Sequence, residues 1–150
     1  MNAKQNGTQR FLGLDLGRAR IGVAVSDPLG WTAQPVGVIH ARSPKKAVAR
    51  IRETVRRYEV GTIVLGLPYK MDGTEGAQAS WVRQFGERLT REIKGVDVAY
   101  WDERLTTAAS ESLLVESGLR SKERKQHRDK IAAALILQSY LEHRRSRSHD

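Results

Sequence analysis

The 150-residue chain contains no cysteine, which removes thiol nucleophiles, thiolate metal ligands and redox switching together and suits a reducing compartment. No stretch approaches the roughly 18 consecutive apolar residues of a membrane span, and the opening MNAKQNGTQ lacks the apolar core of a secretory signal. The expectation is a soluble, cytoplasmic protein with no membrane partner. The four histidines fall at a strand end (His40) or in basic runs (His127, His143, His149), so each reads as a solvated side chain rather than a base or ligand. The glycines of GLDLGRARIG are not followed by G-K-[ST], and a strand rather than a helix comes next, which excludes a phosphate-binding P-loop. Acidic residues are also the minority: 17 Asp plus Glu face 26 Lys plus Arg, for a formal net charge of +9 and a pI near 10.3. That excess favours a polyanionic partner through phosphate neutralisation and counterion release.

The length suffices for one core without a disulfide or metal staple. Residues 10–16 (RFLGLDL) and 20–26 (RIGVAVS) read as a β-hairpin, and the turn DPLG leads to a third strand near 31–40. Pro35 removes a ladder donor and places that third strand at an edge or a bulge. Ser43-Pro44 starts a helix as cap and first helical residue, and Ala47, Ile51, Val55 and Tyr58 recur at helical spacing to about Glu59. The apolar run VGTIVLGL (60–67) is the pattern of a strand buried on both faces of a parallel sheet. After the loop PYKMDGTEG come a helix near 75–93 with Trp81, Phe85 and Leu89 on one face, then a strand near 96–101. A helix over 107–117 ending at Gly118, a basic loop over 119–127 and a last helix over 128–144 complete the order. Meandering strands followed by crossover helices imply an α/β mixed sheet with helices on its faces. Residues 1–9 form a leader, 10–142 the domain and 143–150 a solvated basic tail.

Within this basic chain three acids stand out. If Leu12, Leu14 and Leu16 take one face of the first strand, Phe11, Gly13 and Asp15 take the other, and the Asp15 carboxylate reaches the strand exit. A carboxylate among apolar neighbours needs a cation, donors or water; Arg18 and Arg20 across the hairpin are the structural alternative to a functional site. Asp102 and Glu103 end another strand, and alternation alone does not choose which one faces Asp15. Asp129 precedes Ala133, Ile136 and Tyr140 by 4, 7 and 11 residues, so it heads the buried face of the last helix, in the turn where the dipole favours negative charge. Carboxylates that converge without Cys or His call for hard, oxygen-ligated Mg²⁺ or Mn²⁺. Two such ions roughly 4 Å apart suit in-line phosphodiester attack. Arg18, Arg20, Lys70 and Arg104, in loops or at strand starts beside the acids, are candidates to hold flanking phosphates.

The stretches LGLDLGRARIGVAVSD, GLPYKMDGTEG, DERLTT and DKIAAALILQSYLE occur in the order and spacing of the bacterial YqgF family, also called RuvX, which this chain resembles over about residues 10–142. That family is described as Holliday junction resolvase-like and as nucleases that mature pre-16S ribosomal RNA. The resemblance implies a ribonuclease H-like fold with a five-stranded sheet in order 3-2-1-4-5. It puts the catalytic, metal-binding acids on Asp15, Glu103 and Asp129, and so selects Glu103 over Asp102. The wider superfamily usually supplies a fourth carboxylate. Here Asp72 lies in a loop and Asp102 faces away, so substrate phosphate would complete the second ion's shell.

The implied function is a metal-dependent nuclease using Mg²⁺ or Mn²⁺ on structured RNA, with branched DNA as the alternative substrate. RNA trimming would work with a monomer, whereas junction resolution would call for a homodimer. An Asp-x-Gly strand turn also opens the actin and sugar-kinase fold, but that fold closes two such domains over ATP and this length provides one. A noncatalytic nucleic-acid-binding module is the remaining class. It leaves unexplained why acids converge in a protein that must attract phosphates.

Overall fold

The alternation along the first strand sets the architecture. In the computed structural model, which describes residues 9–106 and 128–148, β1 (Arg10–Leu16) sends Leu12, Leu14 and Leu16 to one side and Phe11 to the other. The leucines pack with Ile51 and Val55 of α1 (Pro44–Tyr58) and with Val82, Phe85 and Leu89 of α2 (Ala77–Glu92). Phe11 packs instead with Ala133, Ile136, Leu137 and Leu141 of α3 (Arg128–Ser148). Fully burying one such leucine contributes roughly 1.5–3 kcal/mol, and both faces of the sheet are covered in this way.

β2 (Arg20–Ser26) and β3 (Ala33–His40) pair antiparallel in a meander from β1; β4 (Val60–Leu67) and β5 (Asp97–Asp102) run parallel to β1 on its other side. The five-stranded sheet has the order β3-β2-β1-β4-β5, as the resemblance implies. β3 is an edge strand, and its register against β2 shifts between Val23 and Ala24, where Ala24 meets Pro35; the missing donor of proline sits at both an edge and an irregularity. Ser43 caps α1 by accepting the Lys46 N–H at 3.2 Å, and Glu59 closes the helix in the left-handed conformation at φ 54°.

α3 lies close to β1 and β2 because glycines line its path. A Cβ on Gly13 would stand 2.7 Å from Leu137 Cβ, and one on Gly22 would stand 1.8 Å from the Asp129 carbonyl oxygen. The helix is also longer than its sequence pattern suggests. It continues through Ser148, with Arg144 stacked on Phe11 at 4.8 Å and Arg145 on Trp31 at 4.9 Å, so residues 143–148 extend the helix, with His143, Arg144, Ser146 and Arg147 exposed. The helix expected over 107–117 and the loop over 119–127 lie outside the described residues.

Candidate active site

Asp15 pairs with Gly22 across the hairpin and lies on the α3 face of β1, half-buried at the strand exit. β4 stands between β1 and β5, so a carboxylate from β5 must cross it to reach Asp15. Glu103 does so from a single 3-10 turn, Glu103–Leu105, that begins directly after β5. Its side chain passes over Gly66 of β4, where an added Cβ would stand 2.8 Å from Glu103 Oε1. There the Glu103 and Asp15 carboxyls are joined by a hydrogen bond. Burial, then the Asp15 charge, pushes Glu103 up to about 7; burial, then the Asp129 charge, raises Asp15.

Asp102 goes elsewhere. Its side chain caps the turn by accepting the Arg104 N–H at 2.9 Å, and it pairs with the Arg104 guanidinium at 2.7 Å. Asp129 lies in the first turn of α3 and charges the same pocket, but its carboxylate faces Arg20, whose Nε is 3.3 Å away. The arginines expected as alternative partners of Asp15 therefore have other neighbours: Arg20 holds Asp129, and Arg18 stacks on Trp81 at 5.2 Å. An open depression of about 270 Å³ is lined by Asp15, Gly17, Arg18, Arg20 and Asp129.

Two of the three predicted acids are thus in contact and the third stands at the rim. Among the described residues no group of three or more acids and histidines is close enough to hold a metal ion as it stands. The Arg20 guanidinium balances the Asp129 charge, and burial beside Asp15 disfavours the charged form of Glu103. The donor set fits a hard cation in kind: oxygen ligands only, two of them half-buried and mutually destabilised when both are charged. Of the predicted phosphate-binding residues, Arg18 and Arg20 border the depression. Arg104 is engaged by Asp102 and by the Tyr69 ring at 5.1 Å, and Lys70 is exposed on a small hairpin, its chain lying over Gly76.

Sequence reasoning missed Gly22 and Gly66, which admit the Asp129 backbone and the Glu103 side chain. A glycine inside a strand signals a close approach, and that signal was present at both positions.

The comparisons agree with this architecture. A family model described as RuvX, Holliday junction resolvase, matches residues 9–143. A protein of Agathobacter rectalis named "Putative pre-16S rRNA nuclease" is 47% identical over 137 residues, covering 89% of this chain and 95% of the relative. One of the same name from Pelotomaculum thermopropionicum is 50% identical over 134 residues, covering 89% and 86%. Among solved structures, T. thermophilus RuvC in complex with a Holliday junction substrate superposes with a TM-score of 0.62 at 19% identity, covering 92% of this chain and 96% of that one. The fowlpox virus resolvase in its junction complex gives 0.55 at 14% identity, covering 90% and 98%. At those identities the structures establish the fold, which is ribonuclease H-like. With a family model spanning nearly the whole domain and relatives near half identical along it, the chain belongs to the RuvX family.

Proposed function

We propose that this protein is a divalent-metal-dependent nuclease that hydrolyses phosphodiester bonds in structured RNA, acting in 5′ maturation of pre-16S ribosomal RNA. The observation that carries this reading is the carboxyl pair Asp15–Glu103 beside Asp129, set in an open depression rimmed by Arg18 and Arg20 on a chain of net charge +9. Acids so placed repel phosphate unless a cation intervenes, and the basic rim supplies no reason for them to gather. The names of the relatives point to the same substrate.

Asp15, Glu103 and Asp129 would hold the metal, and when bound it would supply an activated water and stabilisation of the leaving oxygen. The chain's own residues set the conditions. Glu103 must release its proton before it can ligate, so metal affinity rises with pH through about 7. Arg20 keeps Asp129 at the rim until substrate offers the guanidinium a phosphate in its place. Arg18, exposed on the same turn, positions the next phosphate along the strand.

A four-way DNA junction is the second reading, favoured by the family description and by the junction complexes among the fold's neighbours. The experiment that separates them offers the purified protein a pre-16S RNA fragment and a four-way junction, each with Mg²⁺ and with Mn²⁺. Site-specific cleavage of the RNA with the junction left intact is the expected result. Cleavage of the junction alone would overturn the RNA assignment, and cleavage of neither would overturn the nuclease reading.

A further inference from the structure

The turn that carries Arg18 borders two depressions. One contains the carboxylates; the other lies on the α1 and α2 side, and the two share Leu16, Gly17 and Arg18. The second has an apolar floor of Ile21, Ala47 and Phe85, a wall formed by Trp81, and a rim of Arg18 and Arg42. Trp81 is half-buried, with the exposed Arg18 guanidinium stacked 5.2 Å from its ring centre. Arg42 is exposed and makes no ion pair among the described residues. Beyond it Lys45 and Lys46 are exposed at the start of α1, a helix with no acid in its first turn.

We propose that the mouth of this second depression, whose own volume of about 40 Å³ is too small to enclose a base, is a stacking subsite on which one unpaired base of the substrate strand next to the scissile phosphate lies flat. The inference rests on the nuclease reading above and specifies its substrate: a cleavage site flanked by single-stranded RNA rather than continuous duplex. A flat aromatic wall overlaid by a guanidinium plane, with a cationic rim beside it, matches the chemistry of a base attached to a phosphate. The base stacks on the Trp81–Arg18 pair, since aromatic rings and guanidinium planes both serve as platforms for bases. Its phosphate lies against Arg42, and the strand continues past Lys45 and Lys46. These side chains carry the contact, because the helix start offers little backbone: Pro44 has no N–H, and the Lys46 N–H is taken by Ser43 Oγ. The shared Leu16–Arg18 turn keeps the base and the scissile phosphate within neighbouring positions on one strand.

The test uses the full chain, two RNA hairpins with the same cleavage sequence, and the variants Trp81→Leu and Arg42→Ala. One hairpin carries unpaired nucleotides beside the cut on either the 5′ or the 3′ side; the other is paired throughout. Wild type should cleave the first with the higher kcat/KM, and each variant should reduce that preference, Trp81→Leu by roughly thirtyfold, the middle of the range for one stacked base. Arg42→Ala keeps the test meaningful if Trp81→Leu folds poorly, because Arg42 is exposed and its loss leaves the core untouched. In cleavage-inactive Asp15→Asn protein, tryptophan emission should be quenched by a single-stranded oligoribonucleotide, with much of that quenching gone once Trp81 is replaced. An unchanged preference in a folded Trp81→Leu protein, or quenching that survives it, would overturn the subsite while leaving the nuclease reading intact. If wild type cleaves neither hairpin with Mg²⁺ or Mn²⁺, the nuclease reading fails instead.

Discussion

Replacing Gly22 by alanine tests the link between fold and site. Gly22 lies in β2 opposite Asp15, and its added Cβ would meet the Asp129 carbonyl oxygen at 1.8 Å, the Asp129 carbonyl carbon at 2.4 Å and the Lys130 nitrogen at 3.1 Å. All three are backbone atoms, so no rotamer change relieves the clash. Ordinary contact begins near 3.4 Å, so the start of α3 must move by about 1.6 Å relative to β2. The rest of the helix resists, because Leu137 and Leu141 are fully buried and Gln138 Oε1 accepts the Ala33 N–H at 2.9 Å. Overpacking of this kind destabilises by about 1–3 kcal/mol. Displacing Asp129 by more than an ångström should also lower cleavage about a hundredfold. The assay pairs urea unfolding with metal-dependent cleavage, using Gly37→Ala as control. Gly37 lies in β3 with nothing within 4 Å of its added Cβ, and its replacement should change stability by less than about 0.5 kcal/mol. Equal stability and equal cleavage in the two variants would refute the claim that close approach at Gly22 places Asp129.

Three further outcomes are expected. Glu103 titrates near 7 when folded against 4.5 ordinarily, so in chelator its contribution to stability is complete below about pH 4.5 and lost as pH rises through 7. Partial exposure limits that loss to about 1–2 kcal/mol. Urea midpoints from pH 4 to pH 8 should fall for wild type and stay flatter for Glu103→Gln; parallel curves would contradict the buried pair. Added Mn²⁺ at pH 8 should raise the melting temperature of wild type, since about 2.7 kcal/mol accrues at a hundred times Kd, and should not raise that of Asp15→Asn. Identical shifts in both would place the ion elsewhere. For RNA binding, Arg18→Ala should reduce the salt slope by about one, whereas Arg104→Ala, whose guanidinium is already engaged by Asp102 and Tyr69, should leave it unchanged.

Much of this arrangement was legible in the sequence because it follows from short-range periodicity. Two-residue alternation put Asp15 opposite the leucines of β1, and helical spacing from Ala133 and Ile136, both buried, put Asp129 on the sheet-facing side of α3. Periodicity failed at Asp102 and Glu103, where β5 gives way to a 3-10 turn and alternation no longer applies. The resemblance selected Glu103, and the structure supplies the physical reason: Asp102 caps the turn, leaving Glu103 to cross Gly66. The continuation of α3 through Ser148 was hidden for a different reason. Arg144 and Arg145 read as solvated charges until the fold brings Phe11 and Trp31, more than a hundred residues away, beneath their guanidiniums. The Arg20–Asp129 pair is equally nonlocal.

The central claim is that Asp15 organises a metal-dependent hydrolytic site, and the most direct measurement is cleavage of a pre-16S RNA fragment by Asp15→Asn protein in Mg²⁺ and in Mn²⁺. The substitution is nearly isosteric, removes the charge and keeps a side chain able to accept from Glu103. The account predicts a folded protein that still binds the RNA and does not cut it with either metal. Cleavage at the wild-type rate by that folded variant would contradict it.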